Sequence, residues 1–367
     1  MQQDDPVFAL VAPLDWGLGH ATRCIPIIKE LINQEVRVIV AATGSQKKLL
    51  KNEFPGLEFV EIPPYRIQYK NGFFLKWGLF LQIPVLLMRI KNENRWLTQL
   101  LTKRKIDFLI SDNRYGLSHP DIVTVFITHQ LYIQSGISKF ADRIILTWHN
   151  RILKRFSRCW VPDQRGEFSI AGLLSDPPFP PPIPVDYIGV LSRFTKLQTS
   201  LVPDSILILI SGPEPQRTAF EKILLSQLSD LEMKVTLVRG LPESIGVLPA
   251  TAKNLTIYNH LGTEQLNTAI NNSEYIVARG GYSTIMDLIT LKRNAILVPT
   301  PGQPEQEYLA KYLHEKKWMY MAGQADFDLK NALTEFQGCQ FLHPVLKDSP
   351  LAAVVQNLIS FSVIHKE

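Results

Sequence analysis

The chain has 367 residues, of which 46% are hydrophobic and 20% charged. This composition excludes a disordered or fibrous chain, and the length exceeds what one hydrophobic core usually organises, so two domains are expected. A formal net charge of +5 suits an anionic ligand or an anionic membrane surface, while no RNA- or DNA-binding signature makes nucleic acid an expected partner.

Cys24, Cys159 and Cys339 are odd in number, far apart and without a CxxC pair. That spacing indicates neither a zinc site nor a disulfide framework, and a reducing compartment follows. The acidic start Met1-Gln2-Gln3-Asp4-Asp5-Pro6 lacks a secretory n-region, so a cytoplasmic protein is expected. Phe73 to Ile90 is the most apolar stretch. Lys76, Gln82 and Pro84 interrupt it, and it reads as an amphipathic or core helix rather than a span.

In chain order, Val7 to Pro13 is a run of strand length. Leu14-Asp15-Trp16-Gly17-Leu18-Gly19-His20-Ala21-Thr22-Arg23 follows, then Ile25, Ile28, Leu31 and Ile32 at helical spacing, then a strand over 36–42. This is a βαβ opening with a glycine turn at the C-terminal end of its first strand, the ligand edge of doubly wound sheets. Only Gly17-x-Gly19 is present and position 22 is Thr, so the turn is not a dinucleotide fingerprint and no cofactor is implied. His20 closes the turn, where imidazole can take a proton near neutral pH. As alternatives it is a helix cap or a packed histidine.

Further strands are expected at 57–62, 108–110 and 122–127. The second ends in Ser111-Asp112-Asn113-Arg114, so Asp112 can orient His20 or bind an acceptor hydroxyl; the alternative is a cap or an ion pair with Arg114. His129, after the third, is a weaker acid–base candidate. Lys103-Arg104-Lys105 and Arg151, Lys154, Arg155 and Arg158 read as solvated helix faces, or with Phe73 to Ile90 as a membrane-facing patch.

Prolines crowd Asp176 to Pro184, which cannot be helix or central sheet. The expected organisation is a first domain over 1–175, a linker over 176–200, a second domain over 201–350, and a C-terminal helix over 351–367 that packs back on the first. In the second domain, strands at 205–210, 234–238, 255–258, 274–278 and 295–299 lead into polar turns. Those turns are Ser211-Gly212-Pro213, Arg279-Gly280-Gly281-Tyr282-Ser283-Thr284 and Thr300 to Glu307, with a helix expected from Tyr308. The glycine turn before Ile285 puts backbone N–H groups at a helix start, where a diphosphate binds. Ser283 and Thr284 can cap that helix, and Asp287, one turn in, can accept from a sugar diol.

Arg279 to Asp287, then Val298-Pro299 and Gln306-Glu307, resemble the C-terminal domain of glycosyltransferase family 28, the MurG-like enzymes. The resemblance covers most of the second half and the first turn of the N-terminal half. It implies an α/β GT-B fold, two doubly wound Rossmann-like domains facing a cleft. It also implies an inverting, metal-independent hexosyl or N-acetylhexosaminyl transfer from a nucleotide diphosphate donor, UDP foremost. The implied acceptor is a hydroxyl, on a lipid-linked molecule in one version, with peripheral contact at the inner membrane face as an option. By this resemblance Asp287 holds the ribose, residues 280–284 the diphosphate, Gln306 the donor sugar, and His20 ends the N-terminal glycine loop. Gly17, Gly19, Gly212, Arg279 and Glu307 complete the expected substrate-binding residues. Departures are Asp287 for the usual Glu, Ser211-Gly212-Pro213 for Gly-Gly-Ser, Glu307 for a Gln, and a shorter N-terminal loop. Gly17-Leu18-Gly19-His20-Ala21-Thr22-Arg23 also resembles the turn of PseG-type UDP-sugar hydrolases, in which the histidine activates water. A hydrolase or 2-epimerase is therefore the first alternative, and a non-catalytic nucleotide-sugar-binding subunit the second.

Overall fold

The computed structural model describes residues 5–65, 83–229, 231–244, 246 and 253–364. They form two compact units, one up to Leu191 together with the stretch from Leu346 onwards, the other from Ser192 to Val345.

The first unit runs β1 (Phe8–Pro13), α1 (Leu18–Asn33), β2 (Arg37–Ala41), α2 (Gly44–Glu53), β3 (Glu58–Val60), α3 (Ile83–Leu101), β4 (Phe108–Asp112), β5 (Val123–Ile127), α4 (Lys139–Leu153), β6 (Arg158–Val161) and β7 (Val185–Tyr187). The strands are all parallel, in the order β3-β2-β1-β4-β5-β6-β7. Helices cover both faces of such a sheet, which is why its central strands read as unbroken apolar runs instead of alternating ones. In β1, Ala9 to Ala12 are completely buried. One face packs Leu10, Ile39 and Leu109 under Leu97 of α3. Phe126, Ile90 of α3 and Ile152 of α4 form a second cluster. The chain reverses its strand order at β1, so β1 and β4 flank the switch point where ligands of such sheets bind.

One expectation changes here. The proline-rich segment is not a free linker, because Val185–Tyr187 pairs with β6 as an edge strand and residues to Leu191 fold with the first unit. Prolines are tolerated just before an edge strand because a carbonyl can still accept, as Pro184 O does from Cys159 N at 2.9 Å. Phe73 to Ile90 falls mostly outside the described residues, and from Ile83 the chain is already α3. Among the described residues no helix is long and apolar enough to cross a membrane.

The second unit runs β8 (Val202–Leu209), α5 (Gln216–Leu228), β9 (Lys234–Val238), β10 (Leu255–Tyr258), α6 (Thr263–Asn272), β11 (Ser273–Ala278), α7 (Tyr282–Thr290), β12 (Ile296–Leu297), α8 (Pro304–Glu315), β13 (Tyr320–Met321) and α9 (Leu329–Gln337). Its parallel order, β10-β9-β8-β11-β12-β13, places the switch point between β8 and β11. Ile206, Ile208, Phe220, Leu224, Val277 and Ile296 centre its core. The last helix, α10 (Leu351–Ile364), belongs to the first unit. It buries Leu351, Val355 and Leu358, lies against α1, and accepts from Gln34 Nε2 at Ala352 O, 2.9 Å away.

The turn after β1 is held by a buried ionic network. Arg114 donates through Nε to Glu93 Oε1 (2.5 Å), through Nη1 to Pro13 O (3.2 Å) and through Nη2 to Pro63 O (2.6 Å). Glu93 also accepts from Tyr65 Oη (2.6 Å) and Gly116 N (2.9 Å). Arg114 and Glu93 are 0% and 1% exposed, so removing one partner strands a buried charge. Glu93→Ala should cost about 3–5 kcal/mol in urea unfolding. A loss under ~1 kcal/mol, the size of an exposed pair, would contradict the network's role.

Candidate functional site

Each unit carries a cluster of polar residues at its own switch point. In the first, α1 starts at Leu18 with Gly17 as its N-cap at φ 77°, a left-handed conformation that glycine adopts without strain. Gln46 Nε2 donates to the carbonyls of Leu14 and Gly17 and so ties the turn to α2. Gly19 and His20 thus lie inside the first helical turn rather than in a loop, and Thr22 Oγ1 donates back to Gly19 O at 3.0 Å. His20 is 17% exposed in its side chain, while Asp112, the last residue of β4, is fully buried.

His20 Nδ1 stands 3.1 Å from Asp112 Oδ2. Asp112 does not pair with Arg114, which is committed to Glu93. Its partner is Arg23, which donates from Nε to Oδ2 at 2.8 Å and from Nη2 to Oδ1. Arg23 Nη2 also comes within 2.8 Å of His20 Nδ1, and Nη1 within 3.3 Å of His129 Nδ1. His129 is buried behind Arg23, and the Cys24 thiol lies 3.8 Å from Asp112 Oδ2. Burial alone would raise the Asp112 carboxyl, but the Arg23 guanidinium and the His20 ring outweigh it and hold the group at about 2. Burial first, then Arg23, lowers His20 below its ordinary value, against the opposing pull of Asp112. The ring is therefore neutral at neutral pH. Arg23 is the member that sequence reasoning left without a role, although its i,i+3 spacing from His20 puts the two on one helix face.

In the second unit the turns after β8, β11 and β12 come together. Gly280 passes so close to Gln306 that an added Cβ would sit 3.1 Å from Gln306 O. A Cβ on Gly212 would stand 3.7 Å from Thr300 Oγ1, a buried hydroxyl with no hydrogen-bond partner among the described residues. Gly281 is the N-cap of α7, so Ser283 and Thr284 do not cap the helix but lie within its first turn. Helix α8 begins at Pro304, not at Tyr308, because proline suits the first helical position and Glu305 and Glu307 favour that end of the dipole. Gln306 and Glu307 consequently face their own loop. Gln306 Oε1 accepts from Thr300 N (2.9 Å), and Glu307 Oε1 from Gly302 N (2.8 Å).

Arg279 departs furthest from expectation. It is 1% exposed and donates to Val298 O (3.2 Å), Gln216 O (2.9 Å) and Gln324 Oε1 (2.7 Å), its guanidinium 4.2 Å from the Phe220 ring centre. The side chain points into the unit and braces the three turns from behind instead of reaching toward an anion. Asp287 accepts from Ser192 Oγ at 2.6 Å, a partner 95 residues away that no local pattern announces. Burial pushes Asp287 up to about 7, with the Ser192 hydroxyl and Arg193 acting against the rise.

A Methanosarcina acetivorans protein described as an uncharacterized glycosyltransferase is 25% identical over 328 residues, 82% of this chain and 81% of its own length. The crystal structure of the kitacinnamycin glycotransferase superposes with a TM-score of 0.64 at 15% identity, covering 98% of this chain and 96% of that one. The spinosyn rhamnosyltransferase SpnG, solved with thymidine diphosphate, gives 0.59 at 14% identity over 98% and 96%. Two parallel doubly wound sheets of this kind are the GT-B fold of those solved structures. Residues 250–338 match the glycosyltransferase family 28 C-terminal domain.

A folded-state carboxyl near 7 lies above its unfolded value of about 4, so Asp287 costs stability increasingly as pH rises from about 4 to about 7. Asp287→Asn should therefore melt several degrees higher than the parent at pH 8, while the two coincide near pH 4. An equal or lower melting temperature at pH 8 would show that the carboxylate is not strained by burial.

Proposed function

We propose that the protein transfers a hexose or N-acetylhexosamine from a nucleoside diphosphate donor, UDP foremost, to an acceptor hydroxyl with inversion. The observation that carries this reading is His20, an imidazole partly open after the C-terminal end of β1 and backed by the buried Asp112. His20 serves as general base for the acceptor hydroxyl, an effect on the order of 100- to 10,000-fold. The second unit is assigned the donor. Amides at the start of α7, from Gly280 to Thr284, take the diphosphate as negative charge grows on the leaving group. The unpartnered Thr300 hydroxyl beside Gly212 adds a donor to the same edge. Asp287 takes the ribose hydroxyls, exchanging its bond from Ser192. The similar fold solved with thymidine diphosphate supports a nucleoside diphosphate as the ligand class.

A peripheral membrane role belongs to the same reading. Val85, Leu87 and Met88 of α3 and Phe140 and Ile144 of α4 are exposed apolar residues, with Lys91, Arg95, Lys139 and Arg143 exposed among them. Such a surface suits an anionic bilayer, where a lipid-linked acceptor would be found. The protein should sediment with vesicles containing anionic phospholipid and not with neutral ones; equal recovery from both would remove this part.

His20→Ala should abolish sugar transfer while leaving UDP affinity by calorimetry within a few-fold. Asp287→Ala should do the opposite first, weakening UDP about tenfold or more through loss of a charged hydrogen bond. A fully active His20→Ala variant would remove the base. Free sugar released from donor without acceptor, at turnover rates, would instead favour the hydrolase reading suggested by the Gly17 to Arg23 turn.

A further inference from the structure

Arg23 has more contacts within the His20 cluster than catalysis by a simple His–Asp pair requires. It is 3% exposed, and a buried guanidinium is retained only against compensating charge and geometry. Its hydrogens can be accounted for one by one. Nε serves Asp112 Oδ2, and one Nη2 hydrogen serves Asp112 Oδ1. Asn113, at φ 56°, is satisfied when its amide nitrogen donates to Thr128 Oγ1 (3.1 Å) and Ile127 O (3.2 Å). Its oxygen then accepts the other Nη2 hydrogen at 3.1 Å. Both Nη2 hydrogens are thereby committed to oxygens. The 2.8 Å approach of Nη2 to His20 Nδ1 is then a meeting of two donors. His20 Nδ1 keeps its own hydrogen for Asp112 Oδ2, which leaves Nε2 as the basic nitrogen.

We propose that Arg23 is a positioning residue that holds His20 as an uncharged base of fixed tautomer: its fork pins and neutralises Asp112, and its nearness to Nδ1 opposes an imidazolium. The groups acting on His20 are Arg23 from α1, Asp112 at the end of β4 and His129 after β5, with Cys24 against Asp112 and Asn113 against Arg23. Arg23 and Asp112 carry opposite charges that cancel within the cluster. The lowered His20 titration agrees with this balance. In consequence the acid limb of activity lies below the ordinary histidine range, because the ring stays unprotonated there.

This proposal rests on His20 being the base, and its test reads the ring directly. The protein with isotope-labelled histidine is titrated by NMR beside Arg23→Met and Arg23→Lys variants, and kcat/KM is measured across the same pH range. In Arg23→Met the His20 titration and the acid limb should both move up by about one pH unit or more, since Asp112 is left uncompensated. In Arg23→Lys, which keeps the charge but not the fork, the titration should stay near the parent's. There kcat should fall about tenfold or more with KM little changed, and the Nδ1–H tautomer should lose population. An unmoved His20 titration in Arg23→Met, or parental kcat and tautomer in Arg23→Lys, would overturn it. Should Arg23→Met not fold, the Lys variant decides alone. Absence of any sugar transfer by the parent would defeat the functional reading, yet the NMR titration would still report whether Arg23 governs the ring.

Discussion

The structure depends most on one buried carboxylate, Asp112, and on how it is shared. A lone carboxylate at the end of a central strand would neutralise itself by taking a proton, because burial raises its pKa. Arg23 prevents this, so Asp112 stays ionised and remains an acceptor for His20. The cost of burying two charges is met by a forked geometry that a lysine could not reproduce. The base proposed for the first unit follows from that arrangement.

The same economy recurs wherever a turn must hold its shape. Arg114 and Glu93 fasten the ends of β1 and β3 to α3, and Arg279 fastens the β11, β12 and α5 turns from inside. Under the turn after β8, Glu221 is clamped between Arg217 (2.8 Å) and Arg239 (2.5 Å). Such pairs add little net stability over apolar packing, but breaking one is costly, so they serve as devices that keep a backbone geometry. They lie at the C-terminal ends of strands because there the chain leaves the ladder and its carbonyls need other donors. Arginines near these turns therefore serve as braces, as Arg279 does.

The elements were legible where burial is two-sided. Runs such as 8–13 and 275–278 are apolar because helices cover both faces of a parallel sheet, and Gly17 and the Gly280-Gly281 pair announced the turns that follow them. Less legible were elements whose register depends on distant partners. The edge strand Val185–Tyr187 hides behind prolines, and the start of α8 at Pro304 precedes the first apolar residue of its face. In the candidate site, His20 after the first glycine turn and Asp112 at a strand end stood out as polar residues, but Ser192 carried no such mark.

The sequence by itself determined that there are two α/β halves, that polar turns follow their apolar strands, and that an imidazole and a carboxylate stand at two of those strand ends. These are local matters, set by periodicity, by glycine's conformational range and by where a buried strand runs out of apolar residues. Only the tertiary structure decided which charges meet: that Asp112 takes Arg23 and not Arg114, that Arg279 turns inward, and that Ser192 reaches Asp287. Pairing across 89 or 95 residues depends on sheet order and on which side chain can be desolvated at least cost, and neither is written in any short stretch of chain.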